Sequence, residues 1–175
     1  MKLSRYKACI CEGGAERAII DILLDNDLLI FSRSEILEEE IIRCRNAKEF
    51  EEKYLRKEFQ DQISVIRILD SRRENFCLSK SYQHKVSVIN IITAPEIEML
   101  IIHAENKYQQ FKRSGKKPSE FCKEDLKIER VKSYDFVKNY FQDSSKLIDA
   151  IYKYRQKAKV PNKEFTLKDL LNCVK

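Results

Sequence analysis

Three short apolar runs rich in β-branched residues set the strongest limit on what this chain can fold into. They are YKACIC (6–11), ISVIRIL (63–69) and VSVINII (86–92). Each has the length of one strand, and residues that stop a strand follow each of them. Longer segments with helical period lie between. After the first run, AERAIIDILLDNDL (15–28) puts Ala15, Ala18, Ile19, Ile22 and Leu23 on one face of a helix. Residues 34–59 form a charged segment expected to be helical with a break near Asn46, Ser34 serving as N-cap and Glu38, Glu39 and Glu40 early in the helix. From Pro95 to about Arg113 the pattern is again helical, with proline in the first turn. A short piece, LLIF (28–31), is a candidate extra strand. Strands alternating with helices in this way predict an α/β fold, a mainly parallel sheet with helices on both faces.

The chain has 175 residues, 43% hydrophobic and 35% charged, with only three glycines and three prolines, so it carries a core and belongs to neither the disordered nor the fibrous class. The loop RSGKKPSE (113–120) divides it into an α/β part, 1–113, and a helical extension, 114–175, expected to pack on it. Short helices are predicted there around 119–125, 133–142, 144–157 and 166–174, with Thr166 and Asp169 in the pattern of a capping box. Charge divides in a similar way. Residues 1–105 hold 16 Lys/Arg against 19 Asp/Glu, and residues 106–175 hold 18 against 9. That suggests carboxylates for chemistry in the first part and cations for a polyanion in the second; a plainly solvated set of basic helices has the same composition. Six cysteines occur without zinc spacing, and the chain begins with no apolar leader, so buried thiols and a cytoplasmic protein away from membranes are the expectation.

In an open parallel sheet, ligands bind beyond the carboxyl ends of the strands, so the polar residues where apolar runs stop are the site candidates. These are Glu12, Asp70, and Glu96 or Glu98. Carboxylates gathered at one rim repel unless a cation joins them, and hard oxygens suit Mg²⁺ or Mn²⁺. Two of the three glycines, Gly13 and Gly14, follow Glu12 directly. Glycine tolerates positive φ and lets backbone approach a ligand, and Glu16 then falls on the first helical turn. A plain strand–turn–helix with an exposed glutamate fits these residues equally well.

The order strand, E-G-x-x-E, helix, then an apolar strand ending in Asp resembles the Toprim domain of topoisomerases, primases and OLD-type nucleases. TAPEIEMLIIHAE (93–105) is similar to a segment of small Toprim-like phage-defence proteins of the RloB and abortive-infection type, through Pro95, Glu98 and His103. The resemblance spans roughly residues 6–105. It implies a Mg²⁺- or Mn²⁺-dependent nuclease in anti-phage defence, acting on RNA (tRNA included) in preference to DNA, with a partner protein of a defence system in prospect. It implies Glu12, Asp70 and Arg72 as catalytic residues and Glu12, Glu16, Asp70, Glu74 and Glu98 as metal ligands. The chain departs from the family's D-x-D at Asp70-Ser71-Arg72, where a guanidinium replaces the second carboxylate. Glu74 is placed to compensate, and Arg72 to stabilise developing phosphorane charge. The alternative is a catalytically silent nucleic-acid- or partner-binding module.

For nucleic acid, the candidates are Arg73 and the cluster Lys112, Arg113, Lys116 and Lys117 around Gly115. YKYRQKAK (152–159) is a further candidate strip, whereas Phe136, Val137, Tyr140 and Phe141 have the spacing of a helix's core face. His84 is expected in a loop, and His103 in the core unless the resemblance assigns it a role.

Overall fold

A computed structural model describes residues 1–44, 46–56, 61–93 and 97–172. Its centre is a three-stranded parallel sheet, in the order β1 (Tyr6–Cys11), β2 (Ile63–Leu69), β3 (Val86–Ile92). The register pairs Tyr6 with Ile63 and Ile63 with Val86, so the three strands end together at Cys11, Leu69 and Ile92. Every residue of β2 is buried, as expected of a central parallel strand with both faces covered. On one face Cys9, Cys11, Ile66, Ile68 and Ile91 join the core of the helical layer. On the other, Ala8, Ile10, Ile63 and Val65 pack with Leu37, Ile42, Phe50, Tyr54 and Leu55. The protein is therefore α/β, with helices flanking a parallel sheet.

The seven helices described are α1 (Gly14–Asp25), α2 (Ala47–Phe50), α3 (Met99–Ala104), α4 (Tyr108–Ser114), α5 (Pro118–Glu124), α6 (Tyr134–Tyr140) and α7 (Ser144–Lys157). Helix α1 packs on α6, and α3 packs on α7. Phe121, Val137, Phe141, Leu147 and Ile151 lie in the same apolar cluster as α1 and the sheet, so residues 114–157 share one core with the first part. Ser133 and Asp143 cap α6 and α7 through their side chains. Thr166 and Asp169 form the expected capping box, at the start of a 3₁₀ turn (Leu167–Leu170).

Several expectations give way to other structure. Among the described residues of 34–59 no long helix forms before Asn46. Two 3₁₀ turns (Arg33–Glu35 and Leu37–Glu39) come first, and Glu38 and Glu39 adopt left-handed φ of 58° and 55°, which a helix cannot continue through. Ile42 then bonds the outer edge of β1, accepting from the Cys11 N–H and donating to the Cys9 carbonyl. Only after the N-cap Asn46 does α2 form, continued by a π-helical turn (Glu51–Leu55). Ser32 rather than Ser34 starts the first 3₁₀ turn, its N–H donating to Glu35 at 2.7 Å. LLIF forms only an isolated bridge, Leu29 to Leu171, because left-handed Asp27 ends α1 and turns the chain. The helix expected over 95–113 is broken between α3 and α4, where Asn106 has φ 56°. Pro95, Glu96 and Cys173 lie outside the described residues. Cys9, Cys11, Cys44 and Cys122 are buried free thiols as expected, but Cys77 is exposed.

Candidate active site

The common end of the strands is where the chain must leave the sheet. After β1, Glu12 and Gly13 turn directly into α1. Gly13 is the N-cap with φ −95° and ψ 161°, so this turn needs no left-handed glycine; close approach is the requirement instead. The Glu16 carboxylate folds back over Gly13, where a side chain would collide with it. A Cβ on Gly14 would stand 3.1 Å from the Tyr134 nitrogen and 3.2 Å from the Lys132 carbonyl oxygen. Gly14 therefore lets the turn before α6 lie directly on the start of α1, which carries Lys132 to the rim.

The result is a cleft of ≈ 430 Å³ lined by Glu12, Gly13, Gly14, Glu16, Ile68, Leu69, Asp70 and Lys132. Two of its carboxylates feel the crowding. The Glu12 carboxyl is raised above its ordinary range by burial, by Glu74, with which it shares a hydrogen bond, and by Asp70, with Arg67 opposing. The Glu16 carboxyl is raised by burial and by Asp70 and Glu98, opposed by a backbone hydrogen bond and Lys132.

Two cations that the sequence did not single out organise this rim. Arg67, in the middle of β2, is 1% exposed, and its Nη2 lies 2.9 Å from Glu74 and 3.9 Å from Glu12. Its guanidinium lies 4.8 Å from the Phe76 ring centroid. A charge in the buried strand was a visible anomaly in ISVIRIL. Lys132 places its Nζ 3.3 Å from Glu98, whose side chain is wholly buried. No chain-local signal pointed to Lys132; the Gly14 contact delivers it.

Of the residues selected from sequence, Glu12, Glu16 and Asp70 thus line one cleft, with Glu74 beside Glu12 and Glu98 behind Glu16. Arg72 does not join them. It forms a two-pronged ion pair with Glu164, at 2.7 and 2.9 Å, and lines a second cavity beside β3. His103 is buried in α3 and also lines that second cavity, away from the carboxylates. Arg73 is exposed next to the turn, and Lys112, Arg113 and Lys117 are exposed at the α4–α5 junction. Lys116 in the same junction is held by Glu124 at 3.0 Å and Asp125 at 2.5 Å. Gly115 caps α4 with a left-handed φ of 67°.

No family model, curated protein or solved structure matches this chain. The site is therefore judged on its chemistry. Glu12, Glu16 and Asp70 are hard oxygen donors in a region where negative charge is in excess, which suits a divalent cation. Among the described residues no three His, Cys, Asp or Glu side chains stand close enough to form a ready-made cage. Among those residues no helix is long and apolar enough to cross a membrane.

Proposed function

We propose that the cleft is the active site of a Toprim-like nuclease that hydrolyses phosphodiester bonds with Mg²⁺ or Mn²⁺, on RNA in preference to DNA and in the setting of anti-phage defence. The observation that carries this is the gathering of Glu12, Glu16 and Asp70 in one cleft at the ends of adjacent parallel strands, with Glu12 and Glu16 raised partly by neighbouring carboxylates. The three carboxylates would hold the cation, which when bound offsets their repulsion and polarises a phosphoryl oxygen. Glu12, whose carboxyl is raised above its ordinary range by burial and by Glu74 and Asp70, would take the proton of an attacking water. Lys132 lines the cleft and would hold a non-bridging phosphate oxygen. Arg67, bonded to Glu74 and 3.9 Å from Glu12, would supply countercharge beside the base. The exposed cations Arg73, Lys112, Arg113 and Lys117 would contact the nucleic-acid backbone.

A second reading is a catalytically silent nucleic-acid- or partner-binding module, and one feature favours it. Arg67 and Lys132 already provide countercharge inside the carboxylate group, and Arg72 is committed to Glu164. One assay separates the two: cleavage of end-labelled RNA and DNA with Mg²⁺ or Mn²⁺ by wild type, Glu12→Gln and Asp70→Asn. Activity in the wild type that falls in both variants supports the nuclease. Equal activity in all three, or binding without cleavage, removes it.

A further inference from the structure

The second cavity, ≈ 300 Å³, opens beside the end of β3. Its volume is near the lower limit for small-molecule sites, room for one nucleotide-sized ligand. Ile92, Met99 and Val160 give it an apolar wall, and Tyr108, Phe111 and Tyr154 add three aromatic rings. The His103 ring stacks on Tyr108 at 4.9 Å and meets Tyr154 edge-on at 6.1 Å. His103 is 3% exposed, and its Nε2 is buried with no hydrogen-bond partner among the described residues. A buried polar atom left in that condition costs free energy unless something supplies a partner. Burial and the nearby charges of Lys153 and Lys157 pull His103 down to about 4, so the ring is neutral near pH 7.

Charge at the mouth points to the sign of the ligand. Lys157 and Lys159 are exposed there, and Arg72 pairs with Glu164 through Nε and Nη2, keeping Nη1 outside the pair. Three cations face one carboxylate. An aromatic interior that includes the neutral His103 ring, with a cationic mouth, matches a planar heteroaromatic group attached to a phosphate.

We propose that this cavity binds a nucleotide, with the base inside against the rings of Tyr108, Tyr154 and His103, and the phosphate at Arg72, Lys157 and Lys159. The nucleotide is either free or part of a single strand, since both present the same base and phosphate. The site stands apart from the carboxylate cleft and does not depend on the nuclease reading: Asp70 lines one concavity and Arg72 the other.

Titration of the full chain in EDTA with AMP, GMP, CMP and UMP, with ribose 5-phosphate and with tetranucleotides, followed by calorimetry, tests this. EDTA removes metal-dependent cleavage, so failure of the nuclease reading leaves the result intact. At least one nucleotide is expected to bind with Kd on the order of 10–100 μM, and ribose 5-phosphate at least tenfold more weakly. A tetranucleotide binding tighter than every monophosphate identifies a strand as the source, and equal or weaker binding identifies the free nucleotide. The exposed double variant Lys157→Glu/Lys159→Glu, which spares the core, should weaken binding at least tenfold, and His103→Leu should do so selectively for the base-bearing ligands. The proposal is overturned if no nucleotide or tetranucleotide binds, if ribose 5-phosphate binds as well as the nucleotides, or if an acidic Asp/Glu tetrapeptide binds where nucleotides do not. Unchanged affinity in the folded double variant overturns it too.

Discussion

Two concavities flank the turn after β2 and are built from opposite chemistry. Toward β1, Glu12, Glu16 and Asp70 line an open cleft in which burial and neighbouring carboxylates raise Glu12 and Glu16, and among the described residues only Lys132 brings a positive charge to the lining. Toward β3, aromatic rings and Met99 line a cavity whose mouth carries Arg72, Lys157 and Lys159. Asp70 and Arg72 are two residues apart and face different concavities. The polarity of a site is thus set less by the residue in the turn than by what the later chain packs around it: the 132–134 turn on one side, the end of α7 and Glu164 on the other.

The largest expected effect isolates the acidic cleft. Glu12→Gln keeps size and hydrogen bonding but removes the charge and the proton acceptor, so metal-dependent cleavage should fall by about 10²-fold or more. Gel assays under single-turnover conditions check this, and nucleotide binding in EDTA should stay as it was. A loss at both sites would join what the structure separates.

Next comes the buried cation that organises the acidic side. Arg67 is almost fully buried, whereas Glu74 and Glu12 are about one-third exposed. Removing a carboxylate therefore costs more than removing the arginine, because a stranded buried guanidinium cannot hydrate and a stranded glutamate can. Glu74→Ala should destabilise by about 3 kcal/mol, and Arg67→Met by less than about 1.5 kcal/mol. Urea denaturation ranks them, and the reverse order would show that Arg67 is not held by this pair.

The β3 side has a pH signature of its own. His103 titrates at about 4 in the fold against an ordinary value of 6.5. Between these values the unfolded chain binds a proton that the native chain does not, so stability rises with pH across that window and is lost as pH falls through it. The difference amounts to about 3 kcal/mol. His103→Gln should flatten the stability profile between pH 4 and 6.5, and an unchanged slope would mean that the ring is not buried as described.

What the sequence made legible is the local part of this architecture. Apolar runs rich in β-branched residues located β1, β2 and β3, helical spacing located α1, a short helix was expected at α7, and strand ends pointed to Glu12 and Asp70. Gly13 and Gly14 marked the tight turn, although for a different reason than positive φ. The remainder depended on contacts distant in sequence. Ile42 became an edge partner of β1 because left-handed Glu38 and Glu39 had stopped any helix. Arg72 was expected at the carboxylates, but its partner Glu164 lies 92 residues away. His103 was weighed as a core residue, and nothing in MLIIHA showed that Tyr108 and Tyr154 would meet it.

The smallest effect concerns Glu16, and its sign is the useful part. Burial and the charges of Asp70 and Glu98 raise its carboxyl above 4.5. Between that value and the folded one, the native chain holds a proton that the unfolded chain has released, so stability falls as pH rises through the window. At pH 7 the ionised Glu16 is therefore a net cost in the free protein. Glu16→Gln keeps a polar side chain at the start of α1 and removes the repelled charge. It should stabilise the protein slightly at pH 7, by less than Glu74→Ala costs, and leave stability below pH 4 nearly unchanged. Thermal melts at the two pH values read this directly. Repeating the pH 7 melt with Mg²⁺ sharpens the comparison: the wild type should gain stability that the variant does not, because the ion would turn the same carboxylate from a cost into a ligand. If the variant gains as much, Glu16 lies outside any metal site and the cleft's charge is carried by Glu12 and Asp70 alone.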